Sequence, residues 1–129
     1  MKNTSEIELF NSIGKVHNQL YSFEKELKNH FPDLSFRFDL SMYSVDRKEW
    51  PESPIGITWE INIDQLDEVF FFEITHEAKW YISSELSKVR LETIETFFTL
   101  EFDEISDLFR ELPDLLDRFQ SCCKAYLMH

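Results

Sequence analysis

Hydrophobic and polar residues follow a helical period at both ends of the chain. Between residues 9 and 27 hydrophobic residues recur at alternating spacings of four and three, which predicts one amphipathic helix over residues 5–30. Hydrophobic residues from Ile105 to Tyr126 return to the same period and predict a helix at the end of the chain. Pro113 lies within that last stretch, so we expect the helix either to kink there or to break into two.

Between the helices, hydrophobic residues instead occupy every second position, as they do in half-buried strands. This alternation predicts four strands, at about residues 34–42, 55–63, 68–75 and 79–84. Short turns connect the later strands, and parallel neighbours would need a much longer connection, so we expect an antiparallel sheet. Residues 85–102 are less regular; they suit either a fifth short strand or a loop packed through its phenylalanines, and we favour the loop.

These elements predict an α+β fold in the order α-β-β-β-β-α, with the last helix whole or split. The terminal helices would pack on one face of a four-stranded antiparallel sheet. Residues 1–129 would form a single domain, because a chain of this length can bury a sufficient core without disulfides or metals. The other face of the sheet carries polar residues, and we expect it to be open or partly covered.

The charge of the chain restricts its partners. It has 25 acidic and 13 basic residues, a net charge of −12, yet 16% of its residues are aromatic, which indicates a folded acidic domain rather than a disordered tail. Such a chain would be repelled by nucleic acids and by anionic membranes, and it would attract a basic protein. Residues 1–32 carry as many lysines as glutamates, so the acidic excess lies further along. Acidity that serves only solubility is the alternative explanation.

The serines, cysteines and histidines of the chain do not have the spacing of a catalytic or metal-binding motif. No serine lies in a glycine-flanked elbow, and the two adjacent cysteines, Cys122 and Cys123, suit free thiols of which one faces the core. The histidines are scattered, at His17, His30, His76 and His129. We therefore predict no enzyme activity, no cofactor and no metal. Neither a signal peptide nor an apolar run of membrane-spanning length is evident, and we expect a cytoplasmic protein.

A protein-binding surface is easier to support from the sequence. The segment Tyr43–Pro54 is longer than a tight hairpin needs, and long loops in compact domains are often functional. Trp50 within it suits an interface, although it could also fold back over the edge of the core. On the polar face of the sheet, aromatic residues lie among carboxylates, which suits a basic partner. The candidate binding residues are Asp39, Asp46, Glu49, Trp50, Glu52, Glu60, Phe71, Glu73 and Tyr81.

The end of the chain reads Phe102-Asp103-Glu104-Ile105-Ser106-Asp107-Leu108 and then Leu112-Pro113-Asp114-Leu115-Leu116. It looks like the closing helices of several families of immunity proteins of bacterial toxin systems, and the whole chain resembles them in size, charge and element order. The resemblance implies a bacterial inhibitor that binds and neutralises a cognate toxin, commonly a basic one. A secretion-system chaperone or another acidic adaptor is the alternative. Such chaperones typically dimerise, whereas we slightly favour a monomer here.

Overall fold

The described part of the chain folds as two long helices and a five-stranded antiparallel sheet. A computed structural model describes residues 4–43 and 55–128. The first helix, α1, spans Thr4–His30, and the last, α2, spans Ile105–Leu127. The strands β1 to β5 span Phe36–Tyr43, Ile55–Ile63, Glu68–Glu77, Lys79–Lys88 and Thr93–Phe102. The predicted α+β class is confirmed.

The prediction of four strands is wrong by one. Residues 85–102, which we favoured as a loop, form the second part of β4, a short turn and the whole of β5. Ser84 of β4 lies opposite Phe98, whereas the next residue, Glu85, lies opposite Thr96. Phe97 is therefore an extra residue in β5, a β-bulge. The bulge shifts the alternation of hydrophobic residues, which hides the strand in the sequence.

Each strand pairs with its neighbours in the chain, so the sheet order is β1-β2-β3-β4-β5. Short 3₁₀ turns, Asp64–Leu66 and Val89–Leu91, connect β2 to β3 and β4 to β5. The two turns lie side by side, because the Val89 N–H donates to the carbonyl oxygen of Asp67 over 3.0 Å. Arg90 Nε is also 2.8 Å from Asp67 Oδ2. We call this end of the sheet the turn end.

The core lies between the helices and one face of the sheet. α1 contacts β1 and β2, while α2 contacts β4 and β5, so the two helices divide that face between them. At the centre, the ring of Phe119 from α2 meets Phe72 of β3 edge-on, with ring centroids 5.4 Å apart, and also meets Phe23 of α1. The indole of Trp59, which is buried, donates its Nε1–H to His17 Nδ1 over 3.3 Å. This packing leaves the opposite face of the sheet without a helix from the described residues.

Pro113 does not divide the last helix. α2 is continuous through it, and of the two predicted outcomes the break is excluded. Pro113 itself is exposed, whereas the hydrophobic stripe before and after it is buried in the core. The stripe comprises Leu108, Leu112, Leu115, Leu116, Phe119 and Cys123. Tertiary packing of this stripe compensates for the backbone hydrogen bond that proline cannot donate.

Candidate functional site

The candidate site lies on the face of the sheet opposite α1 and α2, which we call the open face. Alternate residues of each strand point to this face, because side chains in a strand alternate between its two sides. The register of the strands places these residues in straight rows across the sheet. The position of any open-face residue therefore follows from its strand and its row.

One of these rows gathers negative charge around an aromatic ring. Asp39 of β1 lies opposite Glu60 of β2, and Phe71 of β3 lies between Glu60 and Glu85 of β4. We call these four residues the acidic row. Residues directly opposite each other in such a sheet have Cβ atoms about 4.5–5.5 Å apart. Glu73, two residues further along β3, adds a fourth carboxylate beside the row.

Buried polar side chains hold two of the four carboxylates in place. Thr58 Oγ1 donates a hydrogen bond of 2.7 Å to Glu73 Oε2. Asn62 Nδ2 donates to Asp39 Oδ2 over 3.1 Å, and Arg37 Nε lies 3.5 Å from the same oxygen. Thr58 and Asn62 are both buried in the sheet, so these donors are fixed in position. The open face thus orients Asp39 and Glu73 rather than leaving them to move with the solvent.

Of the four carboxylates, only Asp39 lies beside a basic side chain in the described part of the chain. Neither Glu60 nor Glu85 forms an ion pair with another described residue. Partial burial raises the pKa of Glu85, and the nearby charge of Glu73 raises it further. Asp39 and Glu60 face each other directly, and like charges in that arrangement destabilise a sheet. The acidic row therefore concentrates negative charge that opposes folding.

Tyr81 shares the open face but lies at its margin. It pairs with Thr75, four residues along β3 from Phe71, which is about 13 Å at the rise of a strand. Its other neighbour, Glu101, is ion-paired to Lys79 over 2.6 Å. Tyr81 is thus separated from the acidic row. The structure brings together Asp39, Glu60, Phe71 and Glu73, as predicted from the alternation, and not Tyr81.

The remaining predicted site residues belong to the segment between β1 and β2. Asp46, Glu49, Trp50 and Glu52 lie outside the described residues, so their part in a binding site stays a prediction. The described strands on either side of it, β1 and β2, pair through Tyr43 and Gly56 at the end of the sheet opposite the turn end.

Sequence reasoning missed Glu85, which completes the acidic row. The predicted strand ends at Ser84, so Glu85 falls in the expected loop. The missing signal was present in the alternation itself, because Leu86 continues the buried positions of Ile82 and Ser84. A serine at a core position interrupted the hydrophobic pattern there. Reading β4 through this serine would have placed Glu85 on the open face.

Two of the cysteine and histidine side chains that could carry catalysis or bind a metal, Cys123 and His17, take part in packing instead. Cys123 is buried and its pKa is raised well above 9.0, first by burial and then by Cys122, which keeps the thiol protonated and unreactive. His17 accepts the hydrogen bond from Trp59 and packs against Phe38. Within residues 4–43 and 55–128, no group of His, Cys, Asp or Glu side chains is arranged to hold a metal ion. No helix in that part of the chain is long and apolar enough to cross a bilayer.

Comparison with known proteins finds no relative. No protein-family description matches the chain, and neither a curated protein nor a solved structure is significantly similar to it. What the domain does must therefore be argued from the open face itself.

Proposed function

We propose that this domain is an immunity protein, which binds a basic toxin domain through its open face and neutralises it. The observation that carries the proposal is the acidic row with Glu73 beside it, a cluster of four carboxylates, two of them held by hydrogen bonds, around a half-buried phenylalanine. Negative charge of this kind attracts a basic surface, orients it and speeds its approach.

The placement of the charge favours binding over general solubility. Charges that only keep a protein soluble are best dispersed over its surface, because opposite like charges reduce stability. Here Asp39 opposes Glu60, and Glu85 lies near enough to Glu73 for its pKa to rise. A lysine or arginine from a partner would relieve this repulsion when it binds. The complex would then recover the stability that repulsion among these carboxylates costs the free domain.

Phe71 supports the same proposal. It is half-buried at the centre of the acidic row and offers an apolar surface rimmed by carboxylates. Protein interfaces commonly combine a hydrophobic centre with a polar rim, and aromatic residues are enriched among those that dominate the binding energy. A toxin whose active site is basic would meet both features at once.

The proposal predicts that a basic toxin domain is encoded beside the gene of this chain, and a domain found there is the partner for the test. The chain is expected to restore growth when the two are co-expressed. Replacing Glu60 and Glu85 together by lysine should weaken binding at least about hundredfold, because like charges meeting across an interface cost several kcal/mol. The matched control replaces Glu111 and Asp114 of α2 by lysine. Both control residues are exposed, and their replacement changes the net charge equally.

The outcomes separate the possible functions. Loss of protection in Glu60→Lys/Glu85→Lys with protection retained in Glu111→Lys/Asp114→Lys supports the proposal. Tight binding through the open face without restored growth would indicate an acidic adaptor instead. If both double variants protect as well as the parent chain, the open face is not the binding surface and the proposal is wrong.

A further inference from the structure

Exposed hydrophobic side chains concentrate at the turn end of the sheet. Leu91 is 68% exposed, Ile94 is 64% exposed and Val89 is 55% exposed, and Leu66 in the neighbouring turn is 39% exposed. We call these four residues the apolar corner. Single exposed hydrophobic residues are ordinary on protein surfaces, but several together on adjacent elements mark a site of interaction.

The apolar corner is continuous with the open face. Ile94 belongs to the open face, in the row next to the acidic row, where Ser87 lies between it and Val69. A small cavity of about 130 Å³ joins Val89 of the second turn to Val69 and Asn62 of the open face. The corner and the acidic row therefore form parts of one surface that bends around the turn end.

The basic residues around the corner are already paired with carboxylates. Arg90 is held by Asp67 over 2.8 Å, and Lys88 is held by Glu95 over 3.3 Å. Arg37 lies within 4 Å of carboxylate oxygens of Asp39 and Asp64. A partner that approaches this surface meets hydrophobic side chains beside unpaired acidic ones, and no unpaired lysine or arginine among these residues repels it.

We propose that the apolar corner anchors the basic partner of the open face, by receiving an aliphatic or aromatic side chain that has lysine or arginine residues beside it. This inference rests on the proposed function and extends it, because it specifies a mixed basic and hydrophobic surface on the partner. A second copy of the chain fits less well. A two-fold dimer uses the same patch on both copies, so a dimer that covered the open face together with the corner would bring two acidic rows together.

Two synthetic peptides of equal length and charge can serve as probes. One alternates lysine with leucine, and the other alternates lysine with serine. Each is titrated into the isotope-labelled full chain while backbone amide shifts are recorded by NMR. The leucine peptide should bind about tenfold tighter than the serine peptide, because only its leucines can pack on the apolar corner. This difference corresponds to about 1.4 kcal/mol. Both peptides should shift amides of the open face, but only the leucine peptide should also shift those of residues 89–94.

Replacing Leu91 and Ile94 together by serine should reduce the affinity of the leucine peptide to that of the serine peptide. Both residues are exposed, so the fold should be retained, which the amide spectrum itself reports. The matched control is Leu40→Ser, at an exposed leucine of β1 on the side of the sheet that faces the helices. This control should leave the difference between the two peptides unchanged.

The results distinguish failure of this inference from failure of the proposed function. Equal affinities with shifts confined to the open face would overturn the apolar anchor and leave the acidic binding surface standing. Shifts that avoid the open face with both peptides would overturn both. A concentration-dependent dimer of the chain that Leu91→Ser/Ile94→Ser abolishes would assign the corner to self-association and overturn the inference.

Discussion

The carboxylate of Glu85 is charged at a cost to folding. Its pKa is raised above the ordinary value of 4.5, first by partial burial and then by the charge of Glu73. The folded chain therefore binds this proton more tightly than the unfolded chain does. Stability must then fall as the pH rises through the raised pKa, since the unfolded state releases the proton first. Below the ordinary value both states are protonated and the effect vanishes.

Replacing Glu85 by glutamine should consequently stabilise the isolated domain at neutral pH. The replacement removes the desolvated charge and keeps the size of the side chain, so the melting temperature should rise at pH 7 and stay unchanged well below pH 4.5. Thermal unfolding followed by circular dichroism at the two pH values measures the difference. Glu111→Gln on α2 is the control and should change little. A variant that is less stable than the parent at pH 7 would contradict the argument.

The same replacement should act in the opposite direction on binding. Glu85→Gln removes one carboxylate from the acidic row, so a domain that is more stable when alone should hold its basic partner less tightly. Residues whose loss improves folding and harms binding are expected where stability has been given up for function. At the scale of single residues, Glu85 on the open face costs stability, whereas core residues such as Trp59 and Phe72 contribute to it.

At the scale of elements, regular alternation made the first part of the sheet predictable. β2 has the predicted bounds, Ile55–Ile63, and β1 and β3 differ from their predicted spans only at the ends. The predicted face of Asp39, Glu60, Phe71 and Glu73 follows directly from those strands. Three-quarters of the acidic row could thus be identified from the sequence, because hydrophobic residues occupy the buried positions without interruption.

The other parts of the sheet are harder to predict because two residues break the pattern. Ser84 is fully buried at a core position of β4, where the alternation calls for a hydrophobic residue. In β5 the bulge at Phe97 changes which side chains face the helices, so Glu95 and Phe98 lie on the same side although they are three residues apart. Both irregularities are stabilised by pairing with neighbouring strands. Such long-range contacts are not visible in a local pattern.

The proline within α2 allows a test at the scale of one element. Pro113 removes a backbone donor from the helix interior and is exposed, so its side chain contributes little to the core. Pro113→Ala should therefore raise the free energy of unfolding by up to about 3 kcal/mol, the cost of a proline inside a helix. Urea denaturation measures this change. The control Ser106→Ala, also exposed but in the first turn of α2, should have a smaller effect.

A decrease in stability in Pro113→Ala would contradict this reasoning. It would mean that the rigid ring of Pro113 limits the unfolded chain more than it harms the helix. The slope of the denaturation curve should stay the same in both variants, because neither replacement changes the surface that unfolding exposes.

At the scale of the whole molecule, a net charge of −12 acts on folding and on binding with opposite signs. Repulsion among carboxylates destabilises the compact state, and dissolved salt screens it. The same screening weakens the attraction between the open face and a basic partner. Salt should therefore stabilise the domain while it loosens the complex.

Sodium chloride should raise the melting temperature of the isolated domain. Between low salt and about 0.5 M we expect an increase of about 2–5 °C, equivalent to about 0.5–1.5 kcal/mol for a domain of this size. The double variant Glu60→Gln/Glu85→Gln should respond less than Glu111→Gln/Asp114→Asn, although both lose the same charge. Equal responses would show that the repulsion is spread evenly over the surface rather than concentrated in the acidic row.

The strict alternation of the strands also separates two kinds of evolutionary constraint. Asp39 and Leu40, or Glu60 and Ile61, are neighbours in the chain, yet one of each pair belongs to the open face and the other to the helix side. Under the proposed function, exchanges at open-face positions should alter which partner the domain binds and leave its core unchanged. Because the four members of the acidic row lie on four different strands, a substitution at one of them alters only one strand of the sheet. A sheet of this kind can thus acquire a new specificity one substitution at a time while its scaffold stays constant.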